Sequence, residues 1–338
     1  MSKLFKLSPV AKDYLWGGNR LNENFEKNMS VTPVAETWEC STHKDGRCFV
    51  ATGLFAGETL YDVLKMHPEY LGSHPTVMAN RNPVLWEENA GLPILVKFID
   101  AKADLSVQVH PDDIYARKNE SGQLGKTEMW YVLDASDNTE LIYGLNRKLE
   151  KSEIRSAINE GNLEKYLQKI AIQKNDVFFI WPGIIHAIGA GTLLVEIQEN
   201  SNLTYRLFDY NRKGKDGSLR PLHIDKALDV SILDYIGKPR QPMRKLSYLP
   251  GCAKELIGRC ECFEVERWLV NTERVHKFVE VKSTDESFEV FLCIEGCGTI
   301  FDYENHIVPI FKGDCIFVPA NSDCFYIHGK MQLLKIRC

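Results

Sequence analysis

Two stretches of the chain read alike. Residues 175 to 182 run Asn-Asp-Val-Phe-Phe-Ile-Trp-Pro, and residues 312 to 319 run Lys-Gly-Asp-Cys-Ile-Phe-Val-Pro. Each is a polar turn, a short apolar strand and a closing proline. A strand-and-turn unit used twice implies two related β-domains. Alternating runs at Ser106 to His110, Glu128 to Leu133, Val177 to Trp181, Thr192 to Gln198 and Tyr205 to Tyr210 supply further short strands, and many short strands favour a barrel or sandwich. The chain is therefore expected to be mainly β, as two jelly-roll barrels. A polar Gly/Pro-containing stretch from Gly237 to Pro242 places the break, giving domains 1–240 and 241–338. Apolar residues three or four apart predict helices over about 57–91, 151–170 and 224–233, packed on or inserted into the first domain. The two echoes then diverge. Four residues after Pro182 stands His186, whereas the same step from Pro319 reaches Asp323, in a stretch with no ligand-like cluster. Only the first roll is expected to carry chemistry.

Charge and composition narrow the function classes. With 338 residues, 44% hydrophobic and 26% charged, the chain has the profile of a soluble globular protein with a sizeable core. A net charge of −5, without a dense basic block, argues against a nucleic-acid or anionic-membrane surface. No run approaches the roughly 20 apolar residues that span a bilayer, and the start lacks a signal-peptide pattern, so a cytoplasmic protein is expected. Ten cysteines in such a chain read as reduced, mostly packed thiols; Cys260 with Cys262, and Cys293 with Cys297, have spacings open to a second metal, but no partner completes a zinc motif. No heptad seam is visible, which leaves a monomer as the expectation.

The chemistry concentrates between residues 106 and 206. In Leu105-Ser106-Val107-Gln108-Val109-His110-Pro111 strict alternation puts Ser106, Gln108 and His110 on one strand face. Lys126 and Glu128 share the corresponding face of the next strand. Burying such groups is costly unless they bind something. A Gln, a His and a Glu from neighbouring strands, completed by His186 beyond the Trp181-Pro182-Gly183 turn, form a donor set suited to one zinc ion, with the Gln amide oxygen as the weakest donor. Glu196 pairs in alternation with Gln198, and Arg206 with Thr204 and Phe208. An arginine turned into such a cavity needs an anionic partner: a phosphate, a carboxylate or a developing enediolate, or else a structural ion pair with Glu196 or Asp209. The histidines at 43, 67, 74, 223, 276, 306 and 328 lack comparable company, and His223 reads as structural.

Several of these pieces, in this order, resemble the type I mannose-6-phosphate isomerases in their short bacterial form, within the cupin superfamily. They are Trp16-Gly17-Gly18, Ala35-Glu36-Thr37-Trp38-Glu39, Pro93-Ile94-Leu95-Val96-Lys97, Ser106 to Asp112, Gly125 to Trp130, Pro182-Gly183 with His186, and Thr204-Tyr205-Arg206-Leu207. The last hundred residues resemble only a degenerate cupin. The resemblance implies cupin-type rolls, zinc held by Gln108, His110, Glu128 and His186, a catalytic Arg206, and interconversion of mannose 6-phosphate and fructose 6-phosphate by proton transfer through a cis-enediol. Lys126 then becomes an acid/base or electrostatic candidate, and Lys97, Ser106 and Glu196 become candidates for contacting the sugar phosphate. Two departures stand out: Asn202 and Asn211 occupy positions where the family commonly carries Asp. Asn202 keeps a second reading open, a non-catalytic sugar-phosphate sensor. An iron-dependent cupin oxygenase on the same ligands is a third.

Overall fold

Antiparallel pairing gathers the strands into three sheets in a computed structural model that describes residues 4–214, 217–275, 277–302 and 306–338. His276 lies outside them. A six-stranded sheet runs Val177–Ile180, Glu128–Ala135, Thr192–Glu199, Ile94–Asp100, Glu36–Cys40, Val10–Lys12. A five-stranded sheet runs Tyr205–Phe208, Val107–Val109, His186–Ala187, Glu140–Leu145, Leu167–Ala171. The two face each other across a shared apolar cluster in which Ile99, Trp130, Val132 and Leu194 of the first sheet meet Leu141 and Tyr143 of the second. A mainly β, cupin-type chain is what the sequence implied. Among the described residues, however, no sheet closes on itself, so the rolls are facing sheets and not closed barrels. The helix Ile224–Val230 packs beside the outer strand Tyr205–Phe208, covering an edge that closure would otherwise remove.

The third sheet has ten strands and is built mostly from Leu246 onward, yet it includes Phe5–Ser8 and Phe49–Val50. Phe5 stands opposite Phe317, so the first strand of the chain completes the sheet of its last domain. One large cluster joins this sheet to the outer face of the six-stranded one, with Phe98, Val195 and Ile197 against Val290, Phe317 and Leu334. The middle strands Ile94–Asp100 and Thr192–Glu199 are consequently buried on both faces throughout their length. Ile94, Val96 and Phe98 face the domain junction, which turns Lys97 inward toward the five-stranded sheet.

Local signals explain the helices and their limits. The helical pattern expected over 57–91 is cut into Leu60–Met66, a 3-10 turn Pro68–Leu71, Ser73–Arg81 and Pro83–Asn89. Pro68 and Pro83 each open a new element, as a residue without an N–H can only at a first turn. The helix expected over 151–170 ends at Asn159, where a capping box from Glu150 and Glu153 started it at Lys151. Gly161 then takes a left-handed φ of 69°, and Leu167–Ala171 forms a strand on Glu140–Leu145. That segment corrects the sequence expectation: Leu163, Tyr166 and Leu167 have helical spacing, but an open sheet edge claims the last of them. Helices Lys151–Asn159 and Ile224–Val230 cover the outer face of the five-stranded sheet through Ile154, Ala157, Ala227 and Leu228. All ten cysteines are free thiols, half of them buried.

Candidate metal centre and substrate cleft

Between the two facing sheets, His110, Glu128 and His186 bring their side chains together with all ligand atoms within 4.8 Å of one another. Strand register explains the meeting. His186 pairs with Gln108 on the neighbouring strand, and Glu128 projects from the opposite sheet, where it pairs with Gln198. The loop before His186 turns at Gly183, whose φ of +87° and closeness to the Val230 carbonyl leave no room for a side chain. Its N–H donates to the His110 carbonyl at 2.9 Å, tying the two histidine segments together.

Both imidazoles are oriented by carbonyls. His110 Nδ1 lies 2.8 Å from the Leu203 oxygen and His186 Nδ1 lies 2.8 Å from the Ile184 oxygen. A carbonyl only accepts, so each Nδ1 carries the proton and each Nε2 turns a lone pair toward Glu128. The Nε2 atoms stand 3.5 Å and 3.4 Å from the two Glu128 oxygens. Glu128 is fully buried, and among the described residues its one charged partner outside the two histidines is the Lys126 ammonium, 2.8 Å from Oε2. Burial alone would raise its carboxyl, but the adjacent Lys126 ammonium holds it well below the usual range. Burial, reinforced by Lys126, pushes His110 down to about 3, and burial also lowers His186. An ionised carboxylate facing two neutral imidazoles, all sealed from water, is a donor set lacking its acceptor. Bonds of roughly 2.0–2.1 Å at tetrahedral angles put such donors about 3.3 Å apart, so the spacing suits a divalent cation.

Gln108 joins this group. Its Nε2 lies 3.4 Å from His186 Nε2, while its Oε1 accepts from Ser106 Oγ at 3.3 Å. A half-turn of the amide keeps the Ser106 contact, because a serine hydroxyl both donates and accepts, but gives up the donation to the His186 Nε2 lone pair, a loss that a cation between the two acceptors would offset. In that rotamer Oε1 faces the imidazole cluster.

Beside the cluster opens a cleft of about 240 Å³, lined by Lys97, Ser106, Gln108, Lys126, Glu196 and Arg206. All the remaining residues singled out from sequence thus reach one space. Lys97 Nζ sits 3.0 Å from Glu196 and 3.8 Å from Glu36, and Lys126 Nζ sits 2.8 Å from Glu128 and 3.7 Å from Glu196. Trp130 Nε1 donates to the second oxygen of Glu196. Burial works against the Lys97 charge, but Glu196 and Glu36 outweigh it and raise its pKa.

Arg206 pairs with neither carboxylate named for it as a structural partner. Its Nε donates to Ser106 Oγ at 3.3 Å and its Nη1 to the Pro221 carbonyl at 3.0 Å. Glu196 is held by Lys97 and Trp130, and Asp209 by Arg212 and Arg220. His223 is structural as expected, accepting from the Arg206 N–H. Asn202 lines the cleft and donates to Asp45 at 2.8 Å. Tyr14, Trp16, Glu36 and Arg220 also line it and were not singled out from sequence. The Glu36 signal was present, in the alternation that puts Glu36 and Trp38 on one strand face; Arg220 sits in a loop without periodicity.

Comparison with known proteins follows the same outline. Residues 4–145 match the family described as phosphomannose isomerase type I, catalytic domain, and residues 254–338 match mannose-6-phosphate isomerase, cupin domain. The chain is 41% identical over 336 residues to the probable mannose-6-phosphate isomerase GmuF of Bacillus subtilis, covering 97% of each. It is 33% identical to mannose-6-phosphate isomerase ManA of the same organism, covering 96% of each. The crystal structure of the mannose 6-phosphate isomerase from Bacillus subtilis superposes with a TM-score of 0.86 at 34% identity, over 98% of this chain and 99% of that one.

Proposed function

The chain belongs to the type I phosphomannose isomerases, and from that premise we infer that it is an enzyme interconverting mannose 6-phosphate and fructose 6-phosphate. One observation carries the site assignment: two histidines fixed by carbonyls turn their Nε2 atoms on a buried carboxylate beside a polar cleft.

In this reading His110, Glu128 and His186 hold a zinc ion, one per chain, with the Gln108 amide oxygen as fourth donor. When bound, zinc supplies a Lewis acid for the oxygens on the first two sugar carbons. Neutral imidazoles and a carboxylate are the donors zinc takes, and the absence of cysteine from the cluster leaves its charge available for polarising oxygen. Lys126 holds a proton at Nζ within reach of the cleft and exchanges it with a sugar oxygen as the ring opens and the carbonyl moves. Arg206, always charged, stabilises the oxyanion of the enediolate that develops on the way to the cis-enediol between the two sugars. Ser106, hydrogen-bonded to both Gln108 and Arg206, keeps the two at a fixed separation. Lys97 and Glu196 form the wall against which the sugar hydroxyls are oriented.

Residues 1–240 form the catalytic domain and 241–338 the degenerate cupin domain in the same reading. A single chain acting in the cytoplasm completes it; among the described residues no helix is long and apolar enough to cross a membrane. The test is a coupled assay for fructose 6-phosphate formed from mannose 6-phosphate, run on metal-analysed protein with and without chelator. Turnover that chelator removes and zinc restores is the expected result. Sugar-phosphate binding without turnover would make the protein a sensor, and oxygen uptake with bound iron would make it an oxygenase.

A further inference from the structure

The cleft is lopsided in charge. At its inner end three carboxylates, Glu36, Glu128 and Glu196, interlock with two ammonium groups, Lys97 and Lys126, each of them within 4 Å of two carboxylates. Neither lysine has charge to spare. At the outer end stand Arg206 and Arg220, with Arg212 immediately behind, and the carboxylate holding this end together is Asp209. Two guanidinium groups share the Asp209 carboxylate, and Arg206 beside them bonds only the neutral oxygens of Ser106 and Pro221, so this end presents positive charge to the cleft.

Arg220 is built to present that charge. Its Nε and Nη2 form a two-pronged contact with the buried Asp209, at 2.7 Å to Oδ2 and 2.5 Å to Oδ1. Asp209 also takes Arg212 Nη2, and Arg212 is anchored again by the Asp104 carbonyl and by the face of Tyr210. The plane of the Arg220 guanidinium is therefore fixed from behind, while its Nη1 has no hydrogen-bond partner among the described residues. Arg220 lines the cleft together with Arg206 and Tyr14. A rigid planar fork with an unused edge suits a phosphate better than a single hydroxyl.

We propose that Arg220, held by Asp209, binds the phosphate of the sugar substrate at the outer end of the cleft, so that the reacting carbons of the sugar point inward to the His110–Glu128–His186 cluster. The assignment rests on the isomerase reading for the identity of the anion. It makes Arg220 a binding and orienting residue and leaves proton transfer to the inner end.

The test titrates inorganic phosphate into metal-loaded wild-type protein, Arg220→Ala and Arg220→Lys by calorimetry, with KM and kcat for mannose 6-phosphate measured in parallel. Losing a charge-assisted contact of this kind corresponds to a rise of about 10- to 100-fold in both phosphate Kd and KM for Arg220→Ala, with kcat moving far less. Arg220→Lys, which keeps the charge and loses the fork, recovers part of the affinity. Unchanged phosphate affinity and KM in Arg220→Ala overturn the proposal, and so does a fall in kcat at constant KM. Should the alanine variant fail to fold in a thermal melt, the lysine variant decides alone, and wild-type values there overturn the proposal. A wild type that binds phosphate through Arg220 but turns over no sugar sinks the isomerase reading and leaves this assignment standing.

Discussion

Lys97 and Glu196 stand directly opposite each other on adjacent strands, their charged atoms 3.0 Å apart and both side chains only 4% exposed. Removing one partner of such a pair leaves an uncompensated buried charge and costs about 3–5 kcal/mol. Lys97→Met is therefore expected to unfold in less urea than the wild type at neutral pH. The Lys97 pKa is raised in the folded state, so its contribution is complete below the unfolded lysine value and is lost as pH rises through the folded one. Urea midpoints of wild type and variant should converge above pH ~10.5. A gap that stays constant up to pH 12 would show that the variant suffers from packing and not from lost charge.

His110→Ala and His186→Ala should each lose most of the bound metal, since every remaining donor set lacks an imidazole that the sheet register cannot replace. The check is metal analysis together with melting temperature before and after chelator. In wild type chelator lowers the melting temperature, because an ion bound only to the folded state stabilises it by mass action. Neither variant should respond. Full zinc occupancy in either one removes that histidine from the ligand set.

Arg206→Ala should keep its metal and lose roughly 10²- to 10³-fold in kcat, the range for deleting a group aimed at developing negative charge. Its hydrogen bonds to Ser106 and to the Pro221 carbonyl are peripheral to the fold, so stability should change little. Unaltered turnover would reassign Arg206 to holding the 221–223 segment in place.

Asn202→Asp would set a second carboxylate 2.8 Å from Asp45 at the rim of the cleft. Both positions are exposed, so the cost in stability should stay under about 1 kcal/mol, but the rim loop should lose its tie at neutral pH. Adding Asp45→Asn to that variant restores the amide–carboxylate pair with its partners reversed. A double-mutant cycle on KM and stability tests this. Additive effects of the two substitutions would mean that the Asn202–Asp45 contact carries no coupling.

The inner half of the site was legible in sequence because it is local. Gln108 lies on one strand with His110 just past its end, and Glu128 opens the next with Lys126 two residues before it, so a period of two exposes them without knowledge of the fold. Lys97 was harder to interpret. The strand Ile94–Asp100 is buried on both faces, which replaces alternation by a nearly continuous apolar run and conceals which face is chemical. Glu36, Tyr14 and Arg220 come from segments far apart in sequence, and only the stacking of the sheets brings them to the same cleft. The Leu167–Ala171 strand was hidden for a related reason: its apolar spacing fits a helix, and the partner strand that decides otherwise is supplied by Glu140–Leu145. Sequence also predicted a second roll in the last hundred residues, which match the cupin domain. What it did not reveal was that this roll borrows its first strand from the other end of the chain.

That borrowed strand has a consequence for biosynthesis. Phe5–Ser8 is translated long before the edge it pairs with, Cys315–Val318. At about 5–20 residues per second the two are separated by tens of seconds of translation. Throughout that time the apolar Phe5 and Leu7, both buried in the finished protein, lack the Cys315–Val318 side of their pairing and have only the two-residue strand Phe49–Val50 beside theirs. The ten-stranded sheet therefore cannot form from its amino-terminal strands alone; it closes only after Cys315–Val318 has been made. A nascent chain arrested before Cys315 should remain a protease-sensitive client of whatever chaperone shields its amino end, even with every residue of the metal cluster already made.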